Sequence, residues 1–179
     1  MRTRSVVTVG AMLVALSLKP SSGGAQEKPF QLSFIGPTMQ LVDDDADIRG
    51  LRINLIYGVN RDVKGLDVGV VNRVTGDFKG LQAGFVNLTD EDFTGWQHGL
   101  INVTDGEFLG FQEGLVNVTA AGEGVQWGLF NSTQHLGGLQ VALVNFAEDL
   151  YGLQIGLINI IRSKDRLPIL PIVNWKLDD

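Results

Sequence analysis

Hydrophobic and polar positions follow a unit that recurs every 14–15 residues from Gly50 to about Asn159. Each unit has an opening glycine, a large apolar residue, usually a glutamine, a variable residue, a small residue, two apolar residues and an asparagine. The opening glycines are Gly50, Gly65, Gly80, Gly95, Gly110, Gly124, Gly138 and Gly152. A unit this short cannot bury its own apolar side chains, so it has to stack on its neighbours. The pattern therefore predicts an all-β repeat array.

A parallel β-solenoid of about eight coils with end caps explains these columns most economically. Identical positions would then lie one above another, about 4.8 Å apart. We expect the large apolar residue after each glycine, and the late apolar residues such as Phe78 and Phe93, to fill the interior. The asparagine and glutamine columns can form amide ladders, in which each side chain donates to one coil and accepts from the other.

An antiparallel β-meander or a small outer-membrane β-barrel is the alternative fold. Each unit would then be one strand, and the true repeat would span about 30 residues, with short and long turns in alternation. Odd and even units look alike in this chain, and the adjacent apolar pair of each unit interrupts the alternation that membrane strands need. These features favour the solenoid.

Both flanks of the array differ from the repeat. Residues 26–49 are predicted to form an N-terminal strand and cap, because Phe30, Leu32 and Phe34 alternate with polar residues as in a half-buried strand. Residues 50–163 hold the tandem units, and residues 164–179 are predicted to form a C-terminal cap. There the sequence 172–174 repeats the apolar-apolar-asparagine signature, and Pro168 and Pro171 suit a degenerate ninth coil at the end of the stack.

Residues 1–25 have the features of a signal peptide. Arg2 and Arg4 precede an apolar run from Val6 to Leu18, and small residues allow cleavage after Ala25. The formal net charge is −6, and removal of three basic and no acidic residues makes it −9. This balance disfavours nucleic acid and anionic lipid as partners. The chain has no cysteine, which excludes disulfides and thiol chemistry.

No pattern in the chain predicts a catalytic, cofactor or metal site, so we expect a protein that is not an enzyme. His98 and His135 occupy different columns of units that are not adjacent. The acidic stretch 43–47 lacks the spacing of calcium loops. Other carboxylates share one column, which we interpret as a solvated turn, at Asp77, Asp92 and Glu107.

The variable column is the candidate binding surface, because positions that vary inside a strict repeat usually face outward. Its polar and aromatic members, His98, Glu113 and Trp127, would form a patch in the middle of the array. The complete column consists of Ile53, Val68, Ala83, His98, Glu113, Trp127, Val141 and Ile155.

The registered copies of GLQ-x-GL-x-N, followed by the ending PIVN, resemble the uncharacterised bacterial surface-repeat proteins over roughly residues 30–175. That resemblance implies export to the bacterial cell surface, outer membrane or periplasm, and it assigns no catalytic residue. The expected function is structural, adhesive or ligand-binding, with an unknown protein or glycan of the cell envelope as partner and outer-membrane association as a further possibility. The alternative function is that of an outer-membrane pore or anchor.

Overall fold

The chain forms a β-solenoid in a computed structural model that describes residues 27–177. The predicted signal peptide lies outside the described residues. Residues 27–177 contain no helix that is long and apolar enough to cross a membrane. The strands are β1 (Glu27–Ile35), β2 (Met39–Gln40), β3 (Asp47–Asn60), β4 (Val63–Val74), β5 (Phe78–Thr89), β6 (Phe93–His98), β7 (Ile101–Glu113), β8 (Val116–Trp127), β9 (Phe130–Val141), β10 (Val144–Ile161) and β11 (Ile169–Lys176).

Neighbouring units run parallel and in register, as the stacked-coil interpretation predicts. Gly65 lies opposite Gly80, and Gln97 lies opposite Gln112. The same registration continues from β3 to β10, and the solenoid has about 7 turns. The antiparallel arrangement of units is therefore wrong for the described part of the chain.

One interior column is apolar and forms most of the hydrophobic core, to which Val74, Ala147 and Ile161 of a second buried column add. Its rings stack along the solenoid axis, with centroids 5.0 Å apart for Phe78 and Phe93 and 5.9 Å apart for Phe93 and Phe108. This column runs almost the whole length of the array, and Gly122 takes its position on one coil, between Phe108 and Leu136. The buried members are Ile48, Val63, Phe78, Phe93, Phe108, Leu136 and Leu150.

The apolar column that follows each opening glycine does not fill the interior, and that expectation was wrong. Leu66 is 40% exposed and Trp96 is 44% exposed, and the other members are partly exposed. Successive side chains of a strand point to opposite faces. Since the neighbouring glutamine points inward, as Gln82 and Gln97 do, the residues before and after it have to point outward.

Two amide ladders also lie in the interior, as predicted. Each glutamine donates to the preceding coil: Gln112 Nε2 lies 2.8 Å from Gln97 Oε1. Each asparagine donates to the following coil: Asn102 Nδ2 lies 2.9 Å from Asn117 Oδ1. The ladders therefore have opposite polarity. They satisfy amides that would be costly to bury alone.

An ion pair ends the glutamine ladder at its N-terminal side. Arg52 and Asp67 occupy the glutamine positions of the first two coils, and both side chains are fully buried. Gln82 Nε2 donates to Asp67 Oδ2 at 2.9 Å, and Arg52 donates to both carboxylate oxygens. A carboxylate suits this position because the first glutamine of the ladder, Gln82, presents an N–H donor to it. Asn54 starts the other ladder by donating to Asn72 Oδ1 at 2.8 Å.

The opening glycines are required by the close approach of consecutive coils. At Gly95, φ is +136°, and a Cβ atom would lie 1.9 Å from the carbonyl oxygen of Gly80. No other residue type fits such a contact. The same geometry recurs along the column, which explains why the glycine is the most regular feature of the sequence.

The N-terminal strand is half-buried as predicted, but its polar face is the buried one. Gln31 and Ser33 have no exposed surface, whereas Phe30, Leu32 and Phe34 are 39–45% exposed. Strand β1 pairs in parallel with β3, and Gln31 lies opposite Arg52 in the glutamine column. The strand thus extends the polar interior of the array, and its apolar residues face outward.

The C-terminal segment closes the array as an antiparallel strand, so the expected ninth parallel coil was wrong. Strand β11 pairs with β10, and Asn174 lies opposite Gln154 instead of Asn159. The turn after β10 reverses the chain: Leu167 has a φ of 53°, and Ile161 N donates to Pro168 O at 2.8 Å. The reversal breaks the register that a further coil would need.

A groove along the variable column

The structure brings the three predicted binding residues together in one row on the outer face. His98 lies opposite Glu113, and Glu113 lies opposite Trp127 on the next coil. Their side chains point outward because the flanking glutamine points into the interior. Trp127 is 56% exposed. The row continues into Ala83 on one side and Val141 on the other.

His98 and Glu113 form the polar part of this row. His98 Nδ1 lies 3.3 Å from Glu113 Oε2, and the side chains are 57% and 39% exposed. The indole of Trp96 meets the imidazole of His98 edge-on at 6.5 Å between centroids. The pair thus lies beside an aromatic side chain and is open to solvent.

A groove of about 590 Å³ runs beside the variable column, parallel to the solenoid axis. The variable column is one wall, with Ala83 as its smallest member. The backbone of the small-residue column is the floor. The opposite wall is a row of exposed apolar side chains: Phe85, Leu100, Leu115 and Leu129.

The floor of the groove offers few free polar groups. Gly99 N donates to Glu113 O at 3.0 Å, and Gly114 N donates to Trp127 O at 3.0 Å. The floor residues are small because a side chain there would enter the asparagine ladder. A Cβ atom at Gly99 would lie 2.6 Å from Asn87 Nδ2. Side chains of the walls therefore carry the polarity of the groove.

A second hollow of about 360 Å³ lies on the other side of the same row. It is lined by Leu81, Ala83, Trp96, His98 and Glu113. The His98–Glu113 pair therefore separates two apolar hollows and contributes to both. Apolar walls with a few polar groups are typical of binding sites.

The sequence interpretation missed the apolar wall of the groove. The two apolar residues of each unit, such as Phe85 and Val86, were treated only as part of the repeat. A signal was available, because Asn87 directly after them belongs to an inward column. Alternation along the strand then places Val86 outward, and Phe85 lies at the corner where the coil turns.

The other polar residues do not assemble into a site. His135 lies opposite Asp149 and away from His98. The carboxylate column is a turn in which Asp77 and Asp92 each accept a backbone N–H of the next coil: Asp77 Oδ1 lies 3.2 Å from Asp92 N, and Asp92 Oδ1 lies 2.8 Å from Glu107 N. Within residues 27–177, no three His, Cys, Asp or Glu side chains are grouped so as to hold a metal ion.

Comparison of the chain with protein-family models, curated proteins and solved structures finds no match.

Proposed function

We propose that this protein is a non-enzymatic, exported repeat protein of the bacterial envelope or cell surface, which binds a glycan along the groove. One observation carries the proposal: the outward residues His98, Glu113 and Trp127 stack on consecutive coils beside a groove of about 590 Å³. The surface-repeat resemblance and the sequence of residues 1–25 support the location.

The chemistry of the groove suits a sugar chain. A pyranose ring has an apolar C–H face, which packs on an exposed aromatic ring such as Trp127, and a hydroxyl edge, which can donate to the carboxylate of Glu113. His98 provides a second hydrogen-bonding group beside that carboxylate. An open groove admits the middle of a chain and not only its end.

The dimensions and charge narrow the ligand class further. The four coils from Ala83 to Trp127 span about 14 Å along the axis, at a spacing of about 4.8 Å per coil. That length accommodates a short run of sugar rings. The chain is acidic, with a formal net charge of −6, so a neutral glycan is favoured over an anionic one.

Calorimetry with neutral hexasaccharides of hexose or N-acetylhexosamine tests the proposal. Replacing Trp127 with Ala is expected to weaken binding by about tenfold or more, because a stacking surface is lost. Trp175→Ala is the matched control, since Trp175 is 51% exposed but lies on β11, away from the groove. Its affinity should equal that of the original protein.

A second variant separates the polar contact from the aromatic one. Glu113→Gln keeps the side-chain shape but removes the charge, and we expect a several-fold loss of affinity. If no neutral glycan binds, or if Trp127→Ala and Trp175→Ala bind equally well, glycan recognition by the groove is wrong.

A further inference from the structure

One edge of the solenoid is apolar on every coil. The small residue and the two apolar residues of each unit form the corner of the coil there, and the last two side chains point outward. We call these fourteen outward side chains the apolar edge: Val70 and Val71, Phe85 and Val86, Leu100 and Ile101, Leu115 and Val116, Leu129 and Phe130, Leu143 and Val144, and Leu157 and Ile158.

The apolar edge is more exposed than folding requires. Its corner residues are 38–67% exposed, from Val70 at the lowest to Leu157 at the highest. Together the fourteen side chains leave on the order of 1,000 Å² of apolar surface in water, more than the few hundred Å² of ordinary surface patches. The hydrophobic core is complete without them, because none of its buried members belongs to the apolar edge.

Charged side chains collect in the turns at the opposite edge of the coil, whereas Glu113 lies across the groove from the apolar edge. The turns there carry the column that includes Asp62, Asp77 and Asp92, and exposed ion pairs such as Arg162–Glu148. None of the seven tripeptides at the apolar edge contains a charged or polar side chain. In cross-section the solenoid is therefore amphipathic, with one apolar and one charged edge.

The backbone of the apolar edge is already hydrogen bonded between coils. Leu100 N donates to Phe85 O at 2.9 Å, Leu115 N donates to Leu100 O at 2.9 Å, and Leu129 N donates to Leu115 O at 3.0 Å. Hydrocarbon offers no hydrogen bonds, so only a backbone satisfied in this way can enter it without a large cost. The edge meets that requirement.

We propose that the apolar edge inserts into the surface of a lipid bilayer and holds the solenoid flat on it. The corners stack in register on consecutive coils over about 29 Å, from six spacings of about 4.8 Å. The edge projects outward, so it fits a planar, deformable partner such as a lipid layer. Insertion is limited to the interfacial depth of about 5–10 Å that is usual for amphipathic elements, because the charged edge stays in water.

The lipid class follows from the charge of the chain. The net charge of −6 disfavours anionic headgroups, and the edge itself has no basic side chain. A zwitterionic lipid such as phosphatidylcholine is therefore the expected partner. The attraction is hydrophobic, so it should persist at high salt.

Single cysteines report this contact site by site, because the chain has no cysteine of its own. Leu115→Cys lies on the apolar edge. Leu109→Cys is the matched control, because it lies outside that edge in the column that holds Lys79 and Glu123 on other coils. The parent residues are 47% and 54% exposed. Each variant carries an environment-sensitive fluorophore. Phosphatidylcholine vesicles should shift the emission at position 115 to the blue and leave position 109 unchanged. Vesicles of anionic phosphatidylglycerol should give a smaller shift.

The apolar character of the edge can also be reduced directly. Leu100→Ser with Leu129→Ser should lower partitioning of the labelled Leu115→Cys protein onto phosphatidylcholine vesicles by about tenfold or more, since two large apolar side chains are lost. Circular dichroism of this variant checks that the solenoid is retained. If the double serine variant does not keep the solenoid, the fluorophore at position 115 of the protein without the serine substitutions still tests insertion.

Three results would overturn the inference: no shift at position 115 with any vesicle, equal shifts at positions 115 and 109, or a shift that depends on protein concentration without lipid. The last would mean that a second copy of the chain covers the edge. The inference goes beyond glycan binding. The apolar edge shares Leu100, Leu115 and Leu129 with one wall of the groove, but the vesicle experiments contain no glycan and the calorimetry contains no lipid, so failure of one proposal does not decide the other.

Discussion

The buried ion pair at the start of the glutamine ladder gives the sharpest prediction about stability. Asp67 accepts four hydrogen bonds: Oδ1 from Arg52 Nε at 2.8 Å and from Asn54 Nδ2 at 3.0 Å, and Oδ2 from Arg52 Nη2 at 2.6 Å and from Gln82 Nε2 at 2.9 Å. All four partners are donors. Asp67→Asn removes the charge opposite Arg52 and places an NH₂ group against donors.

The expected loss in the free energy of unfolding is about 3–5 kcal/mol, because removal of one partner leaves a buried charge without compensation. The double variant Arg52→Gln with Asp67→Gln removes both charges and extends the ladder by two amides. The amide introduced at position 67 could then accept from Gln82 and donate to the amide introduced at position 52, in the polarity that the other coils use. We expect the free energy of unfolding of this variant to be within about 2 kcal/mol of that of the original protein, a difference that corresponds to one or two weakened hydrogen bonds.

Urea unfolding followed by circular dichroism measures these differences, and the single variants Arg52→Gln and Asp67→Gln close a double-mutant cycle. An unchanged dependence of the free energy of unfolding on urea concentration would show that the unfolding unit is the same in all five proteins. The reasoning fails if Asp67→Asn loses less than about 1 kcal/mol. It also fails if the double variant is no more stable than Asp67→Asn.

Two further predictions concern the middle and the end of the array. Asn102→Leu should lower the free energy of unfolding by about 2–4 kcal/mol, since it leaves one amide donor and one amide acceptor in the neighbouring coils without a partner. Val103→Leu on the outer face is the control. Equal melting temperatures for the two variants would argue against the ladder. Asp149→Asn should destabilise the C-terminal cap by less than about 1 kcal/mol at neutral pH, because the side chains of its ion pair, Asp149 and Lys176, are 42% and 24% exposed and water screens the pair. The hydrogen bond from Lys176 lowers the pKa of Asp149 from its ordinary value of 3.8, with a smaller contribution from Ser163. That stabilisation is present above pH 3.8 and is lost as the pH falls through the lowered pKa, so the two proteins should unfold alike in strong acid.

The sequence predicted the repeat architecture well because a short unit leaves few ways to bury its side chains. The coil length, the parallel register and the amide ladders all follow from the recurrence of Gly, Gln and Asn at fixed offsets. The alignment of His98, Glu113 and Trp127 follows from the same register. Whether they bind a ligand stays a proposal.

Sequence reasoning placed side chains on the wrong face for one physical reason. Hydrophobic residues were assumed to point inward, as in Leu66 of β4, but in this fold the amide columns take the interior positions. A ladder satisfies each amide from the coils on both sides, so polar residues can occupy an interior with little room for large side chains. Alternation then forces many apolar residues outward, including Phe30 of β1.

What the sequence alone determined is the periodic part of the molecule: the stacking of identical residues, the glycine column and the polar ladders. These features repeat, and local alternation together with hydrogen-bonding capacity decides them. Only the tertiary structure decided what happens where the repeat stops or faces solvent. The Arg52–Asp67 pair, the antiparallel closing strand and the groove beside Trp127 depend on the neighbour that each residue meets across a coil or at an end. The repeat specifies how identical residues stack, but it does not specify which residue each side chain meets at the ends of the array or on its outer surface.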